Sequence, residues 1–320
     1  MNHGDLSDKK ELAEGLRELQ RRIAAAKVTS SKLDESINLA TFNIRDFGKS
    51  ARWEESLHLL AEIIGQFDLV SLIEVRKDLS QLAEVLRILG PYWRAIYSDY
   101  LKDRGGNDER IALVYDKRAV TFNGFVANAA PKRVSSNGQY LPRESWLREP
   151  FMASFKAGSF DFVVLCVHIR WSGKKEERVR ELQMLADWVD EHIKDSAWTD
   201  RDVIVMGDLN ITKIESDFYR AVSSKGLLMP EAIATVNFTN VKKDSRYDQI
   251  LICPQCEKGF INKGGVLDFH AGDWKKLFPG KPVSSDDKYT YQLSDHFPLW
   301  VQLNTNIEGF KLDQIIQSGK

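Results

Sequence analysis

Four apolar runs in this sequence meet polar side chains at one end. Residues 37–42 reach Asn43, residues 69–73 reach Glu74, and residues 203–206 reach Gly207-Asp208-Leu209-Asn210. The fourth is preceded by Asp295-His296 and runs through Leu299, Trp300, Val301 and Leu303. Such runs read as buried strands, and a strand that turns polar at its end offers that side chain to a site at the sheet edge. Acids, amides and a histidine converging there are the equipment for metal-assisted hydrolysis of a phosphoric ester. A phosphodiester anion repels nucleophiles, so a hard divalent cation on carboxylate oxygen must neutralise it. Glu74 is the first expected ligand, with Asp295 in support, and Mg2+ or Mn2+ is the expected ion because oxygen ligands accept either. His296 is the natural general base for the attacking water near neutral pH. Asp208 and Asn210, two apart in a turn, can share one pocket, one positioning water or metal and the other donating to a phosphoryl oxygen. Asn43 can supply a further neutral donor.

The elements that must position these groups follow from periodicity. Apolar residues at helical spacing mark residues 53–66, 79–86 and the stripe Val179, Leu182, Ala186, Val189 and Ile193. Strands are expected near 93–97, 111–115, 150–155, 160–167, 203–206, 247–252 and 298–303. This alternation predicts two facing mixed β-sheets with helices outside, an α/β sandwich, over residues 36–304. Ahead of it, Leu12, Leu16, Leu19 and Ile23 give an amphipathic helix within residues 1–35 that ends in the polar linker Thr29-Ser30-Ser31-Lys32. That helix either docks on the main domain or is a two-heptad handle for self-association or a partner. Residues 305–320 form a tail.

With a formal net charge of -1 over 320 residues, no global basic field advertises nucleic acid, and an enzyme that only visits its substrate does not need one. The 43% hydrophobic content is enough for a sizeable core. Three cysteines are too few for a disulfide framework, and the N-terminus lacks the apolar core of a signal peptide. No apolar run approaches the ~20 residues of a membrane span. A reduced, cytoplasmic protein is expected, with no membrane partner. Cys253-Pro-Gln-Cys256 lacks further ligands at finger spacing and reads as free thiols.

Taken in order, the motifs carry a likeness. Asn43 in ATFNIRDFG, Glu74 in LIEVR, Arg148 in LREPF, His168 in LCVHIR, Asp208 and Asn210 in MGDLN, Asp248 in RYDQI and Asp295-His296 in LSDHFPL form a series. Over residues 37–303 it resembles the endonuclease/exonuclease/phosphatase superfamily, closest to its deoxyribonuclease I branch. The resemblance implies a four-layer α/β sandwich, and it makes Asp248 the carboxylate that orients His296. It also pairs His168, as a second acid on the leaving-group side, with Glu109 of NDERIALVY. Two such pairs astride one phosphate make an acid/base arrangement.

The resemblance also implies a substrate. Arg76, two residues beyond Glu74, stands where the branch has an arginine that reaches into the minor groove, and Arg45 follows Asn43 as in its FNIR run. An arginine in that groove reads shape rather than base sequence, so a DNA endonuclease of low specificity is expected. Arg148 can grip a phosphate with two prongs. Clusters at Lys132-Arg133, Lys174-Lys175 with Arg178 and Arg180, and Lys242-Lys243 with Arg246 can flank a polyanion. Three departures bear on duplex DNA but leave the hydrolytic centre alone: Asn107 replaces the branch's tyrosine, Ile73 replaces the family's usual glutamine, and the secreted members' disulfide is absent. The alternatives are a phosphatase or phosphodiesterase acting on a small or lipid phosphate, and a catalytically inactive binding module.

Overall fold

The computed structural model describes residues 1–100, 108–131, 135–140, 145–198, 200–282, 285–309, 312 and 315–316. Its strands are β1 (Ser36–Phe47), β2 (Leu69–Val75), β3 (Trp93–Tyr97), β4 (Arg110–Asp116), β5 (Thr121–Asn128), β6 (Ser135–Ser136) and β7 (Gln139–Tyr140). They continue with β8 (Phe151–Ala157), β9 (Phe160–His168), β10 (Val203–Asp208), β11 (Asp248–Ile252), β12 (Phe260–Val266) and β13 (Leu299–Asn304). The α-helices used below are α1 (Lys10–Ala26), α2 (Glu54–Ile64), α3 (Ser80–Leu89), α4 (Lys175–Lys194), α5 (Asp217–Ser223) and α6 (Asp286–Gln292).

Two sheets face each other, one of six strands in the order β12-β13-β1-β2-β4-β3 and one of five in the order β11-β10-β9-β8-β5. Between them Leu39, Leu69 and Leu113 of the first sheet share a core with Phe155, Leu165 and Val205 of the second. The outer face of the first sheet buries Ala40, Phe42 and Leu72 against Leu59, Leu60 and Val85 of α2 and α3. On the second sheet's outer side lies α4, with Leu182, Leu185 and Val189 buried. The result is the four-layer sandwich expected, and it explains the unbroken apolar runs. The parallel pairs β1–β2 and β9–β10 lie inside their sheets and are covered on both faces, so neither face can be polar.

The N-terminal helix is no free handle. Leu12, Leu16, Leu19 and Ile23 are buried in the same core as α2. Arg22 donates to the carbonyl of Phe269 at 3.0 Å and to that of Asp273 at 2.6 Å. The stripe that self-association would need is therefore consumed within the chain. Edge strands β5 and β12 escape the periodicity because their residues are mostly exposed or half-buried, and β12 carries the pair Gly264-Gly265, which supplies no side-chain signal.

Candidate active site

Strand register lines up three of the candidate groups. His168 stands opposite Asp208 on the parallel pair β9–β10, and Asp208 stands opposite Asp248 on the antiparallel pair β10–β11. Three neighbouring strands thus present a histidine and two carboxylates in one row at one sheet end. Gly207 permits the close approach that sets the row, for a Cβ there would lie 2.0 Å from the Val167 carbonyl oxygen.

The facing sheet reaches the same place through distorted backbone. Pairing of β1 with β2 slips between Asn43 and Phe47, and pairing of β2 with β4 slips between Leu72 and Val75. At these slips Arg45, Asp46 and Glu74 adopt φ of 47°, 53° and 65°, and across the site Asn210 adopts 52°. Left-handed backbone at non-glycine residues is costly and collects where side chains must be aimed. The aim is visible in the Asn43 amide nitrogen, which donates to Glu74 Oε1 and to Asp208 Oδ2, both at 3.0 Å. One amide therefore ties a carboxylate of each sheet to the other. Glu74 Oε2 accepts the Asp46 N–H at 3.0 Å. Ser294 donates its hydroxyl to the Asn43 carbonyl at 2.6 Å and accepts the His296 N–H at 2.9 Å, which brings the Asp295-His296 step beside β1.

Two histidine–carboxylate pairs flank this centre. His296 Nδ1 lies 2.8 Å from Asp248 Oδ2. Asp248 is fully buried, and its backbone N–H is received by the Thr239 hydroxyl at 3.1 Å. Burial pulls the His296 pKa down, but the charge and hydrogen bond of Asp248, with the charges of Asp208 and Asp295, outweigh it and hold the ring well above its ordinary value. On the other side His168 Nδ1 lies 2.9 Å from Glu109 Oε2, without the alignment of a full hydrogen bond, and its Nε2 is 3.9 Å from Asp208 Oδ2. Burial pushes the Glu109 carboxyl up, yet contact with His168 and the charges of Arg148 and Arg76 win and hold it at about 2. For His168, burial lowers the pKa and Glu109, aided by Asp208, raises it further than burial lowers it.

Several expected contacts are spent internally. Both hydrogens of the Asn43 amide point at carboxylates, so it positions them and has no donor left for a phosphate. The Asn210 amide nitrogen donates to the Ile169 carbonyl at 2.8 Å, which leaves one hydrogen, and its backbone N–H meets Asp208 Oδ1 at 2.9 Å. Arg76 does not reach outward: it is buried, hydrogen-bonded to Asp46 and 3.5 Å from Glu109. Arg148 Nη2 donates to Glu109 Oε1 at 3.2 Å and its Nε lies 2.7 Å from Glu109 Oε2 without the alignment of a hydrogen bond, so its guanidinium is turned on a carboxylate of the protein. Arg45 is tied to α6 through Thr290 and through Asp287 at 2.6 Å. Arg246 is buried on the carbonyls of Ile233 and Val236 and is no flanking cation. Lys175 and Lys243 pair with Asp217 and Asp268. Lys132, Arg133 and Asn107 lie outside the described residues. Asp46, Thr239 and Ser294 have positioning roles that nothing in the sequence signalled, since a lone serine, threonine or aspartate is too common to stand out.

The carboxylates suit a hard cation. Among the described residues, none of Glu74, Asp208, Asp248 and Asp295 forms an ion pair with a lysine or arginine, and Asp248 Oδ1 is buried without a hydrogen-bond partner. Buried carboxylate oxygen in excess of its counter-charge is costly unless a metal balances it. Ligand atoms of Asp208, Asp248 and His296 fall within 4.8 Å of one another, so this cluster includes groups that the sequence reading placed in proton transfer. Beside His296 opens a cleft of about 570 Å³, lined in part by Arg45, Lys242, Tyr247, Trp274, Asp287 and Asp295. Among the described residues no helix is long and apolar enough to cross a membrane.

A family model described as Endonuclease/Exonuclease/phosphatase family matches residues 40–296. No curated protein sequence matches. An endonuclease/exonuclease/phosphatase from Bacteroides vulgatus superposes with a TM-score of 0.56 at 19% identity, covering 84% of this chain and 98% of its own. Truncated Caenorhabditis elegans TDP2 gives 0.55 at 17% identity, over 84% and 98% of the two chains. The Bacteroides thetaiotaomicron mannosyl-6-phosphatase Bt3783 gives 0.53 at 19%, over 83% and 99%. At these identities the structures share the fold.

Proposed function

Because this chain belongs to the endonuclease/exonuclease/phosphatase family, whose members are typically divalent-metal-dependent phosphoric ester hydrolases, we propose that it is such a hydrolase. The observation that carries the reading is the set of carboxylates without lysine or arginine partners among the described residues, gathered from both sheets and flanked by two histidine–carboxylate pairs. Glu74 and Asp295 would hold the ion, with Asp208 and Asp248 within reach of the same centre. A bound Mg2+ or Mn2+ would neutralise phosphate charge and weaken the field that keeps His296 protonated.

The chain's own groups divide the remaining work. His296 Nε2 takes the proton of the attacking water while Asp248 fixes the ring and balances the imidazolium that forms. His168, held by Glu109, gives a proton to the departing oxygen. Asp208 orients the water, and Asn43 keeps Asp208 and Glu74 in register with each other. Arg76 and Arg148 act on the phosphate only indirectly, by holding Glu109.

DNA cleaved with little sequence preference is the substrate that the motif series favours. The cleft beside His296 favours a second reading, a compact phosphate ester. Its lining carries Asp244, Asp286, Asp287 and Asp295 against Arg45 and Lys242, a balance that repels a polyanion. Plasmid, single-stranded DNA, RNA, a chromogenic phosphodiester and a phosphomonoester, each assayed with Mg2+, Mn2+ and chelator, separate the readings. Chelator-sensitive nicking supports the first and turnover of small esters alone supports the second. Hydrolysis of none refutes the function.

A further inference from the structure

Far from this centre, at the opposite end of β11 from Asp248, lies a second cluster. Cys253 and Cys256 are both buried, with their sulfurs 2.7 Å apart. Three features build the pair. Cys253 Sγ accepts the Val203 N–H at 3.2 Å, a contact that stabilises a thiolate. Cys256 occupies the short 3-10 turn Pro254–Gly259, which returns its sulfur toward β10. Gln255 fastens that turn by donating to the Arg201 carbonyl at 2.8 Å.

We propose that Cys253 and Cys256 are a modification site, a dithiol that a small-molecule disulfide converts into an intramolecular disulfide. The alternative chemistry is a metal site completed by Asp202, whose carboxylate lies 3.5 Å from Cys256 Sγ. Distance decides between them. Two thiolates at ~2.3 Å from one tetrahedral zinc stand about 3.8 Å apart, whereas bonded sulfurs stand at ~2.05 Å. The observed 2.7 Å is nearer the bond, and the cluster offers a zinc three protein ligands with one carboxylate among them.

The exchange balances. Cys253 thiolate attacks one sulfur of the reagent disulfide and expels a thiolate, which leaves a mixed disulfide on Cys253. Cys256 thiolate then attacks the Cys253 sulfur, forms the intramolecular bond and expels the second thiolate. Two protein thiols are oxidised, one reagent disulfide is reduced to two thiols, and the protein's two protons pass to the leaving thiolates. Burial makes opening of the single 3-10 turn the step that admits the reagent. Cys166, equally buried on β9, is the internal control.

The test treats the whole chain with hydroxyethyl disulfide, quenches with acid, and combines a denatured thiol titration, intact mass and a peptide map. Titratable thiols should fall from three to one, the mass should drop by two hydrogens, the map should join Cys253 to Cys256, and dithiothreitol should reverse all of this. In Cys256→Ser the reaction should stop at the mixed disulfide on Cys253. Should that variant not fold, the wild-type map decides alone. Three persisting thiols, a stable reagent adduct on the wild type, or a tightly held zinc that protects both cysteines would overturn the assignment.

Discussion

Replacing Asp248 by asparagine removes a charge while keeping the shape of a fully buried side chain. His296 Nδ1 is 2.8 Å from the carboxylate, and delocalisation over both groups puts the centres of charge about 4 Å apart. At an effective dielectric near 20 the attraction between imidazolium and carboxylate is then about 4 kcal/mol. With the ion bound and the ring neutral before reaction, only the transition state, in which the ring has taken the proton of water, uses it in full. Losing it should lower kcat by about 10³, inside the 10² to 10⁴ expected for disabling a general base. The assay is steady-state hydrolysis of a chromogenic phosphodiester at saturating Mg2+, with circular dichroism and the thermal midpoint to certify the fold. KM should change little, because the pair faces the water rather than the substrate. A folded Asp248→Asn enzyme that keeps more than a tenth of wild-type kcat would refute the reasoning.

Glu74→Ala and Asp208→Ala should abolish turnover yet leave the thermal midpoint in chelator unchanged or higher, because each removes a carboxylate that lacks a lysine or arginine partner; a lower midpoint would mean these acids serve the fold. Arg76→Ala should reduce cleavage of duplex DNA and of a small diester by the same factor, since Arg76 holds Asp46 and Glu109; loss confined to duplex would return it to the groove. Glu109→Gln should cost roughly 3 kcal/mol of stability near pH 6. The native carboxyl is held at about 2 against an ordinary 4.5, so its contribution is complete above 4.5 and fades as pH falls toward 2. Denaturant unfolding at several pH values should show the deficit narrowing on acidification, and a pH-independent deficit would count against the charge pairing.

Strand positions were legible because strands covered on both faces must be apolar throughout, and a polar residue that ends such a run has few uses. That logic places Asn43, Glu74 and Asp208 at strand ends that meet in one site. Partners were less legible. Arg76 and Arg148 stand where a substrate-binding arginine would, but whether a guanidinium faces outward depends on Asp46 and Glu109, which arrive from distant segments. Asn43 looked like a spare donor until both of its hydrogens were found on carboxylates. The left-handed backbone at Glu74 follows from a register slip that no propensity encodes. For α1, two heptads fit either docking or association, and the apolar surface beside α2 on which its leucines are buried comes from a distant segment.

The central claim is that these carboxylates hold a divalent cation needed for phosphoric ester hydrolysis. Its most direct measurement is the phosphodiesterase rate of metal-stripped protein titrated with Mn2+, wild type beside Glu74→Gln. The wild type should be inert in chelator and regain full rate along a saturable curve, while the variant should need far more Mn2+ or stay inert. Turnover that persists in chelator, or superimposable titrations of the two proteins, would contradict the account.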